Sequence, residues 1–477
     1  MNIAMIRSTL GQILRTLSLL LLIPLAVGLI YRENVLNFAI TAALSFLVSL
    51  LFSRSKPKND GLFAREGFII VALAWILISA LGALPFVISG SIPNYIDAFF
   101  ETVSGFTTTG SSVISNMEQM PRGDLFWRSF THWIGGMGVL VFAFAVLPLS
   151  GEHSMHIMRA EVPGPTVAKL LPRTRSTARI LYVIYLVLTL VQTVLLLFGG
   201  MSLYDALLHA FATAGTGGFS TYSSSVGYFG SLYVEMVCSV FMLIFSVNFS
   251  LYFLILIGKP LRAVKNEEFK WFVGIVTAAT LAIAAGLASD YGFLTGLRHA
   301  FFNVCSIIST TGFTTVDFNL WPEFTKWILI LLMFCGACAG STGGGLKISR
   351  IIILLKCAVC QVRHNSHPRS INRVRLDGKA LVDDDVRSVL VFFLLYVFLF
   401  LLCAFIVSFD GYDISTTFTS ALSCISNVGP GLGLVGPSGN FALFSPLSKL
   451  ALSFAMLLGR LEIYPLIVLL SARTWKR

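Results

Sequence analysis

Four short polar segments recur through this otherwise apolar chain, and each contains a glycine in the same setting. The glycines are Gly110, Gly218, Gly312 and Gly429. Each lies among Thr, Ser, Asn or Gly residues between two hydrophobic stretches. One Gly- and Thr-rich turn between two helices would carry little information. Four such turns in register predict that the segments meet around one axis, where backbone carbonyls can replace the water around an ion.

The composition predicts that the chain lies in a membrane. Of its 477 residues, 56% are hydrophobic and 12% are charged, whereas soluble domains carry about 25% charged residues. Ten apolar stretches reach, or nearly reach, the ~20 residues that a helical span needs. They lie near residues 10–30, 36–53, 67–89, 126–149, 180–199, 232–257, 272–289, 325–356, 388–409 and 446–471. The predicted fold class is an all-α integral membrane protein with about ten spans.

The basic residues are unevenly distributed along the chain. If the N-terminus is cytoplasmic, the cytoplasmic segments hold 27 of the 34 Lys and Arg residues. This bias agrees with the positive-inside rule and predicts that both termini lie inside. The basic residues behind the net charge of +11 then set the topology and contact anionic membrane lipid. We therefore expect no nucleic-acid partner. The first apolar run has a basic start, as a signal peptide has, but a second span follows at once and we expect a retained helix.

Each polar segment belongs to a larger unit of an apolar span, a short amphipathic segment, a glycine-bearing loop and a second span. The short segments align without gaps, because Asp97, Asp205, His299 and Thr416 each stand 13 residues before their glycine. Asp, Ser or Thr at the start of a short helix caps its free N–H groups, and the negative C-terminal end then points at the loop. Four such ends aimed at one axis favour a cation. The basic His299 departs from this pattern.

The four units predict the organisation of the whole chain. We expect four tandem repeats, each of the form span, pore loop, span, over residues 61–150, 151–258, 259–360 and 361–477. Residues 1–60 form an additional N-terminal two-helix hairpin that has no loop of this kind. The repeats are expected to surround a pseudo-fourfold pore.

The three residues that end in each glycine are the candidate ion-contacting residues, and we call them the glycine loops. They are Thr108, Thr109, Gly110, Thr216, Gly217, Gly218, Thr310, Thr311, Gly312, Asn427, Val428 and Gly429. Turning several carbonyls toward an axis requires backbone angles that side chains disfavour and glycine adopts. Neighbouring hydroxyls and amides can support such a loop from behind. At membrane depth this irregular backbone must be buried in protein or line water.

The glycine loops resemble those of a known family. The sequences TTTG after FFETVSGF, GTGGFS, STTGFT and SNVGPG resemble the four filter loops of the Trk/Ktr/HKT superfamily of cation transporters, and within it the TrkH-type bacterial potassium transporters. The resemblance covers essentially the whole chain. It implies that each loop contributes its backbone to one potassium filter, with potassium as the substrate and the only bound metal ion, and with no cofactor. Glycine at all four positions implies potassium, since a serine at the first position is associated with sodium passage in plant relatives.

The eighth apolar stretch is interrupted by Gly336-ACAGSTGGG-Leu346. Five glycines and a Ser-Thr pair cannot form a continuous lipid-facing helix. We call residues 336–347 the intramembrane loop, because the resemblance implies a loop that blocks the pore below the filter and moves on opening. The candidate gate residues are Gly336, Gly340, Ser341, Thr342, Gly343, Gly344, Gly345, Lys347 and Arg460. A glycine-rich helix-packing patch is the alternative.

Arg460 lies midway along the last predicted span. An ionisable residue at such depth is expected to face the protein interior or a cavity. The resemblance implies that Arg460 projects into the pore below the filter, where its charge raises the barrier to cations and can partner the intramembrane loop. The alternative is a pair with Glu462 or with a polar group of another helix. Asn248 and His132 are expected to be helix-packing groups rather than ion ligands.

The predicted function is potassium uptake across the bacterial cytoplasmic (inner) membrane. A proton- or sodium-coupled symporter is the alternative within transport, although few titratable groups in the spans favour passive, gated flow. A membrane enzyme would need a nucleophile–base set or an acidic metal site within the spans, and a scaffold would not need four registered glycines. The resemblance implies a homodimer on a cytosolic ring of TrkA-type nucleotide-binding regulatory subunits, which can dock on the basic segment 347–387.

Overall fold

The structure, a computed structural model, describes residues 2–54, 64–138, 174–369 and 373–475. Within these ranges the regular structure is helical, apart from one antiparallel hairpin of strands β1 (Arg375–Leu376) and β2 (Lys379–Ala380). Six described helices are long and apolar enough to cross a membrane, or seven if one bent pair is counted as a span. The predicted all-α membrane class is therefore confirmed.

The N-terminal hairpin comprises α1 (Ile3–Leu20) and α2 (Leu22–Ile30), which together form one long apolar span, and α3 (Leu36–Ser53). Small residues let α1 and α3 pack closely, since a Cβ built on Gly11 would lie 2.6 Å from the Oγ of Ser53. The turn after α2 holds Glu33, whose carboxylate accepts the backbone N–H of Arg122 at 2.7 Å and of Gly123 at 2.9 Å. The hairpin thereby fixes the start of the helix Arg122–Gly136.

The rest of the described chain contains four sets of a long helix, a short buried helix and a further helix after the glycine loop, with additional short elements between them. The long helices are α4 (Ala64–Gly82) with α5 (Leu84–Ser89), α8 (Thr174–Phe198), α13 (Glu267–Tyr291) and α17 (Asp383–Val407). The short buried helices are α6 (Tyr95–Phe106), α9 (Leu203–Gly215), α14 (Phe293–Ile308) and α18 (Ile414–Ser426). The inner helices, which follow the glycine loops, are α7 (Arg122–Gly136), α10 (Leu232–Ser246), α15 (Glu323–Cys335) and α19 (Pro446–Arg460).

The inner helices stop after 13 to 15 residues. The predicted interruption of the eighth span is observed, because α15 ends before the intramembrane loop and α16 (Ile348–Ser366) begins after it. The continuous sixth and tenth spans predicted above are wrong. The sixth bends by 90° between α10 and α11 (Phe249–Leu256), and the tenth is interrupted between α19 and α20 (Tyr464–Leu470). Residues 139–149 of the fourth predicted span lie outside the described residues.

The break in the sixth span has a physical cause. Backbone groups freed by the missing helical turn bond to the intramembrane loop instead. The carbonyl of Ser246 accepts the N–H of Cys338 at 3.1 Å, and the N–H of Phe249 donates to the carbonyl of Gly340 at 3.0 Å. Asn248 caps α11 by accepting the N–H of Ser250 at 2.9 Å. A break at membrane depth is tolerated because these groups are satisfied inside the protein.

The remaining short helices and the strand hairpin lie at the ends of the spans. These helices are α12 (Pro260–Lys265), between α11 and α13, and α21 (Ala472–Trp475) after α20. At the hairpin tip, the Asp377 carboxylate accepts the N–H of Glu267 at 2.7 Å and the amide of Asn266 at 3.0 Å. The hairpin is thereby attached to the first turn of α13. Lys356 of α16 also pairs with Glu267, so the helix that follows the intramembrane loop is joined to the same point.

Candidate functional site

Three of the four short helices have side-chain caps, but not from the residues predicted by the 13-residue spacing. Asn94 accepts the N–H of Ile96 at 2.8 Å, Ser202 that of Asp205 at 3.1 Å, and Asp413 that of Thr416 at 3.0 Å. The helices thus begin about three residues earlier than the alignment implied. Asp97 and Asp205 lie in the first turn of their helices, where a negative charge still complements the helix dipole.

The third short helix differs because α14 begins at Phe293 and leaves His299 within the helix. Its N-cap residue, Gly292, makes no side-chain capping bond. The neighbouring Arg298 forms a two-pronged ion pair with Glu235 of α10, with both N···O distances at 2.7 Å. Arg298, the neighbour of the residue that departs from the acidic pattern, therefore joins α14 to α10.

The glycine loops share one backbone pattern. The first residue of each loop has positive φ, at 55° for Thr108, 54° for Thr216, 58° for Thr310 and 56° for Asn427. Positive φ returns at the last residue, at 87°, 74°, 81° and 104° for the four glycines. The middle residues lack it. Alternation of this kind turns successive peptide units so that like groups face the same side. Each loop can therefore direct several carbonyls toward one line.

The four glycines bring the loops into a closed ring in chain order. A Cβ built on Gly110 would lie 2.0 Å from the carbonyl oxygen of Gly217 in the second loop. A Cβ built on Gly218 would lie 2.0 Å from the carbonyl oxygen of Thr311. A Cβ on Gly312 would lie 2.2 Å from that of Val428, and a Cβ on Gly429 would lie 2.8 Å from that of Thr109. Each glycine thus faces the middle carbonyl of the next loop, and the fourth loop returns to the first. A side chain at any of these positions would collide with a neighbouring loop.

Polar side chains support the loops from behind, as the sequence predicts. The Thr109 hydroxyl lies 2.8 Å from that of Thr107 and accepts the Asn427 amide at 2.9 Å. The same amide donates to the Met456 carbonyl at 3.0 Å, so the fourth loop is tied to the first loop and to α19. In the third loop the Thr311 hydroxyl lies 2.7 Å from that of Ser309. The loop backbones are held by neutral hydrogen bonds.

His132 has a more specific place than the helix-packing role predicted for it. Its Nδ1 lies 2.7 Å from the carbonyl of Gly105, near the end of the first short helix. Its ring stacks on Phe219 with centroids 4.0 Å apart, and a Cβ on Gly217 would lie 2.5 Å from the ring. His132 therefore fills the space behind the second loop, and the absence of a side chain at Gly217 makes room for it.

A buried ion pair that the sequence did not indicate joins the first two loops. Glu101 of α6 pairs with Arg128 of α7 at 2.6 Å, and their side chains are 0% and 3% exposed. The Glu101 carboxylate also accepts the N–H of Val113 at 2.9 Å. Arg128 donates to the carbonyl of Ser220 at 3.1 Å and lies over the Phe219 ring. The only sequence signal was one charge in the first short segment and one near the start of the fourth apolar stretch.

Removing one partner of this pair is expected to destabilise the protein. Glu101→Gln leaves the Arg128 charge buried without its carboxylate, and breaking a buried pair costs about 3–5 kcal/mol. We expect the thermal unfolding midpoint of the purified protein to fall clearly. The matched control is Glu323→Gln, which removes the 81% exposed partner of Lys326, where surface pairs contribute ~0–1 kcal/mol. Equal midpoints for the two variants would contradict a supporting role for Glu101.

The glycines and the intramembrane loop lie at opposite ends of the ring. Gly110, Gly218, Gly312 and Gly429 all line a cavity of about 140 Å³ together with Ser111, Ser220 and Asn440. At the other end, the N–H of Gly344 donates to the Thr310 hydroxyl at 2.7 Å. A Cβ on Gly344 would lie 2.4 Å from the Ser426 carbonyl oxygen. The intramembrane loop therefore lies directly against the first residues of glycine loops 3 and 4.

The intramembrane loop is fixed by two other elements described here and by a bond within the loop itself. The break in the sixth span supplies backbone bonds on one side. On another side, one carboxylate oxygen of Glu268 accepts the N–H of Ala339 at 2.7 Å and of Ser349 at 3.0 Å. This single oxygen joins the loop to the start of α16. The Lys347 ammonium bonds back to the Gly343 carbonyl within the loop. Glu268 was missed because it precedes its span in sequence and resembles an ordinary helix-start carboxylate.

Arg460 contacts the intramembrane loop. Its guanidinium donates to the carbonyl of Thr342 at 2.7 Å, to that of Gly136 at 2.6 Å and to that of Gly135. It therefore joins the loop to the end of α7. The bonds to Gly135 and Gly136 agree with the second alternative, a polar group of another helix. Glu462 pairs with Arg350 of α16 at 2.6 Å. The predicted gate residues are thus brought together at one place below the glycine loops.

Comparison with known proteins identifies the family. The model of the TrkH family of cation transport proteins matches residues 32–287 and 270–477. The Trk system potassium uptake protein TrkH of Salmonella typhimurium is 38% identical over 469 residues, 96% of each chain. The like-named protein of Halomonas elongata is 36% identical over 100% of both chains.

A solved structure agrees with these relatives. The crystal structure of the potassium transporter TrkH from Vibrio parahaemolyticus matches with a TM-score of 0.88 and 34% identity. The match covers 98% of this chain and 99% of that one. The family is one of transporters, and the enzyme alternative is set aside on that ground. This chain belongs to the TrkH family of cation transport proteins.

Proposed function

We propose that this chain takes up potassium across the cytoplasmic membrane and that the glycine loops are its selectivity filter. The observation that carries the proposal is the closed ring in which each glycine faces the middle carbonyl of the next loop. Carbonyl oxygens around an axis replace the hydration shell of a weakly hydrated cation. The four short helices end at these loops, so their negative ends favour positive charge there. The relatives' names, which state potassium uptake, support the choice of ion.

We propose further that the intramembrane loop closes the pathway and that Arg460 holds it closed. The loop lies against the inner end of the glycine loops, and its bonds to Thr310, Glu268 and Arg460 keep it there. Opening of the pathway would require these hydrogen bonds to break. The proposed flow is a gated passive pathway, because the hydrogen bonds described within the glycine loops join neutral hydroxyls, amides and carbonyls. Proton- or sodium-coupled symport is the alternative that flux measurements must separate.

The proposed assembly is a homodimer in the inner membrane, with both termini in the cytoplasm and a TrkA-type nucleotide-binding ring below. The exposed basic residues between Lys347 and Arg387 support a cytosolic partner. The strand hairpin in this segment bonds to Glu267, which precedes Glu268 at the intramembrane loop. A partner that displaced the hairpin could therefore act on the loop.

The experiment that tests the proposed function measures rubidium and potassium flux into liposomes that contain the purified chain. We expect flux that rises when the cytosolic ring is added and that follows the potassium gradient. Growth of a potassium-transport-deficient bacterium on low potassium is the cellular counterpart. A flux that stops when a proton or sodium gradient is removed would favour coupled symport. Lack of flux with the ring present would contradict the proposal.

The length of the glycine loops predicts modest selectivity. Each loop offers a three-residue stretch with alternating φ, shorter than the TVGYG stretch of potassium channels. With fewer carbonyl rings, each cation meets fewer sites at which size and field strength can discriminate. We expect sodium to permeate measurably relative to potassium, with rubidium close to potassium. A sodium-to-potassium permeability ratio as low as that of a TVGYG channel, measured by the same flux assay, would contradict this prediction.

A further inference from the structure

The bend of the sixth span borders an apolar cavity. The cavity has a volume of about 340 Å³ and lies between α10, α11, α12 and the first turns of α13. Its lining includes Leu243, Val247, Leu251, Ile255, Phe272 and Val273. Tyr252 also lines the cavity, but its hydroxyl donates a hydrogen bond to the carbonyl of Ile244. The cavity therefore offers contact to a hydrocarbon chain and no free polar partner.

The cavity opens toward the lipid-facing surface. Among its lining residues Ile255 is 48% exposed, Val264 is 57% exposed and Val273 is 46% exposed. In a membrane protein such apolar surface meets acyl chains. The depth is marked by Trp271, which is 44% exposed, since tryptophan is enriched at the level of the lipid headgroups.

Three exposed cations stand beside the mouth of the cavity. Lys259, Arg262 and Lys265 lie on or next to α12, the same short helix whose Ala263 and Val264 line the cavity. Cations next to an apolar opening at headgroup depth match an anionic phospholipid. Each Lys or Arg near an anionic membrane surface contributes ~1 kcal/mol of attraction.

We propose that this cavity binds one anionic phospholipid of the adjacent leaflet, with an acyl chain in the bend and its phosphate at Lys259, Arg262 and Lys265. The lining given above contains no residue of the glycine loops or of the intramembrane loop. The site can also affect the ion pathway through the intramembrane loop, an inference that rests on the proposed function. The first N–H of α11, on Phe249, bonds to Gly340 of the intramembrane loop. A chain that fills the bend would hold α11, and through it the loop, in one position.

Lipid binding is tested by photolabelling the purified full-length protein. The probe is phosphatidylglycerol that carries a diazirine in its acyl chain, and phosphatidylcholine with the same group is the comparison lipid. We expect phosphatidylglycerol to label peptides within residues 243–273 preferentially. Val273→Trp should lower this labelling about tenfold by filling the cavity, and Ile255→Trp should do the same. The control is Leu281→Trp, which lies on α13 as Val273 does, is 53% exposed and does not line the cavity. This variant should leave the labelling unchanged.

The charge requirement is tested with alanine in place of Lys259, Arg262 and Lys265. Each removal should lower phosphatidylglycerol labelling about fivefold, while removal of the exposed cations Arg7, Arg15 and Arg363 should have little effect. Equal labelling by the two lipids, or labelling that survives both tryptophan variants, would overturn the proposal. Disulfide crosslinking between two Ile255→Cys chains would overturn it as well, because a second copy would then cover the cavity.

The coupling to the intramembrane loop is tested by rubidium flux in liposomes with and without phosphatidylglycerol. We expect the native protein to respond to this lipid and Val273→Trp to lose the response. If flux does not change with phosphatidylglycerol while photolabelling persists, the coupling is refuted but the lipid site is not. Absence of flux in every lipid would instead count against the proposed function.

Discussion

Alanine in place of Gly218 is expected to abolish most potassium-selective uptake. The new Cβ would lie 2.0 Å from the carbonyl oxygen of Thr311, so either the second or the third loop must move. Gly218 also has φ of +74°, and a left-handed backbone costs a non-glycine residue ~1–3 kcal/mol when held in place. We expect rubidium flux at limiting concentration to fall about tenfold or more, since ~1.4 kcal/mol already corresponds to tenfold.

The control for this variant separates backbone strain from the collision with the next loop. Gly200 has φ of +85°, and no atom would lie within 4 Å of a Cβ built on it. Gly200→Ala therefore imposes a similar conformational cost outside the ring. We expect this variant to retain flux and selectivity with at most a slightly lower thermal midpoint. If both variants lost flux equally, the ring contact would not be the reason for glycine at position 218.

Removing the guanidinium of Arg460 is expected to increase flux. Arg460→Ala deletes the bonds to Thr342, Gly135 and Gly136 and removes a positive charge from below the glycine loops. Two unit charges 4 Å apart interact by about 4 kcal/mol at an effective dielectric constant of 20. A tenfold rise in flux requires only ~1.4 kcal/mol of that barrier. We therefore expect rubidium flux without the cytosolic ring to rise about tenfold.

Arg460→Lys distinguishes the charge from the bonds. Lysine keeps the positive charge but lacks the planar fork that reaches three carbonyls. Flux near the native level would assign the barrier to charge, and flux near that of Arg460→Ala would assign it to the hold on the intramembrane loop. Arg298→Ala is the control, because it removes a guanidinium that pairs with Glu235 of α10 rather than with the intramembrane loop. Native flux in a folded Arg460→Ala protein would refute both explanations.

The sequence predicted the local features of the site well. The glycines at positions 110, 218, 312 and 429 do have positive φ, and the break after Cys335 is where the glycine run begins. These features depend on a few adjacent residues, because backbone angles and hydropathy are local properties. The prediction of the capping residues was wrong for a related reason. Asp97 and Asp205 are good first-turn residues as well as good caps, and spacing from the glycine cannot distinguish positions three residues apart.

The contacts between distant segments could not be predicted in the same way. The buried pair of Glu101 and Arg128 and the two bonds accepted by Glu268 involve charges that look ordinary in their own segments. The 90° bend of the sixth span is a further case. Val247-Asn248 alone does not require it, and the break is stable because Ser246 and Phe249 bond to a loop about ninety residues later. Such bonds depend on which segments meet, which hydropathy does not specify.

The sequence by itself determined that this protein lies in a membrane, that four glycine-bearing loops repeat, and that its eighth span is interrupted. These follow from transfer free energy and from the conformational freedom of glycine, which act residue by residue. The tertiary structure decided the order of the loops in the ring, the partners of Arg460 and the break in the sixth span. Each of these depends on backbone atoms that lie far apart in the chain, as when Gly429 closes the ring on Thr109. Packing brings those atoms together, and their hydrogen bonds are satisfied only in that arrangement.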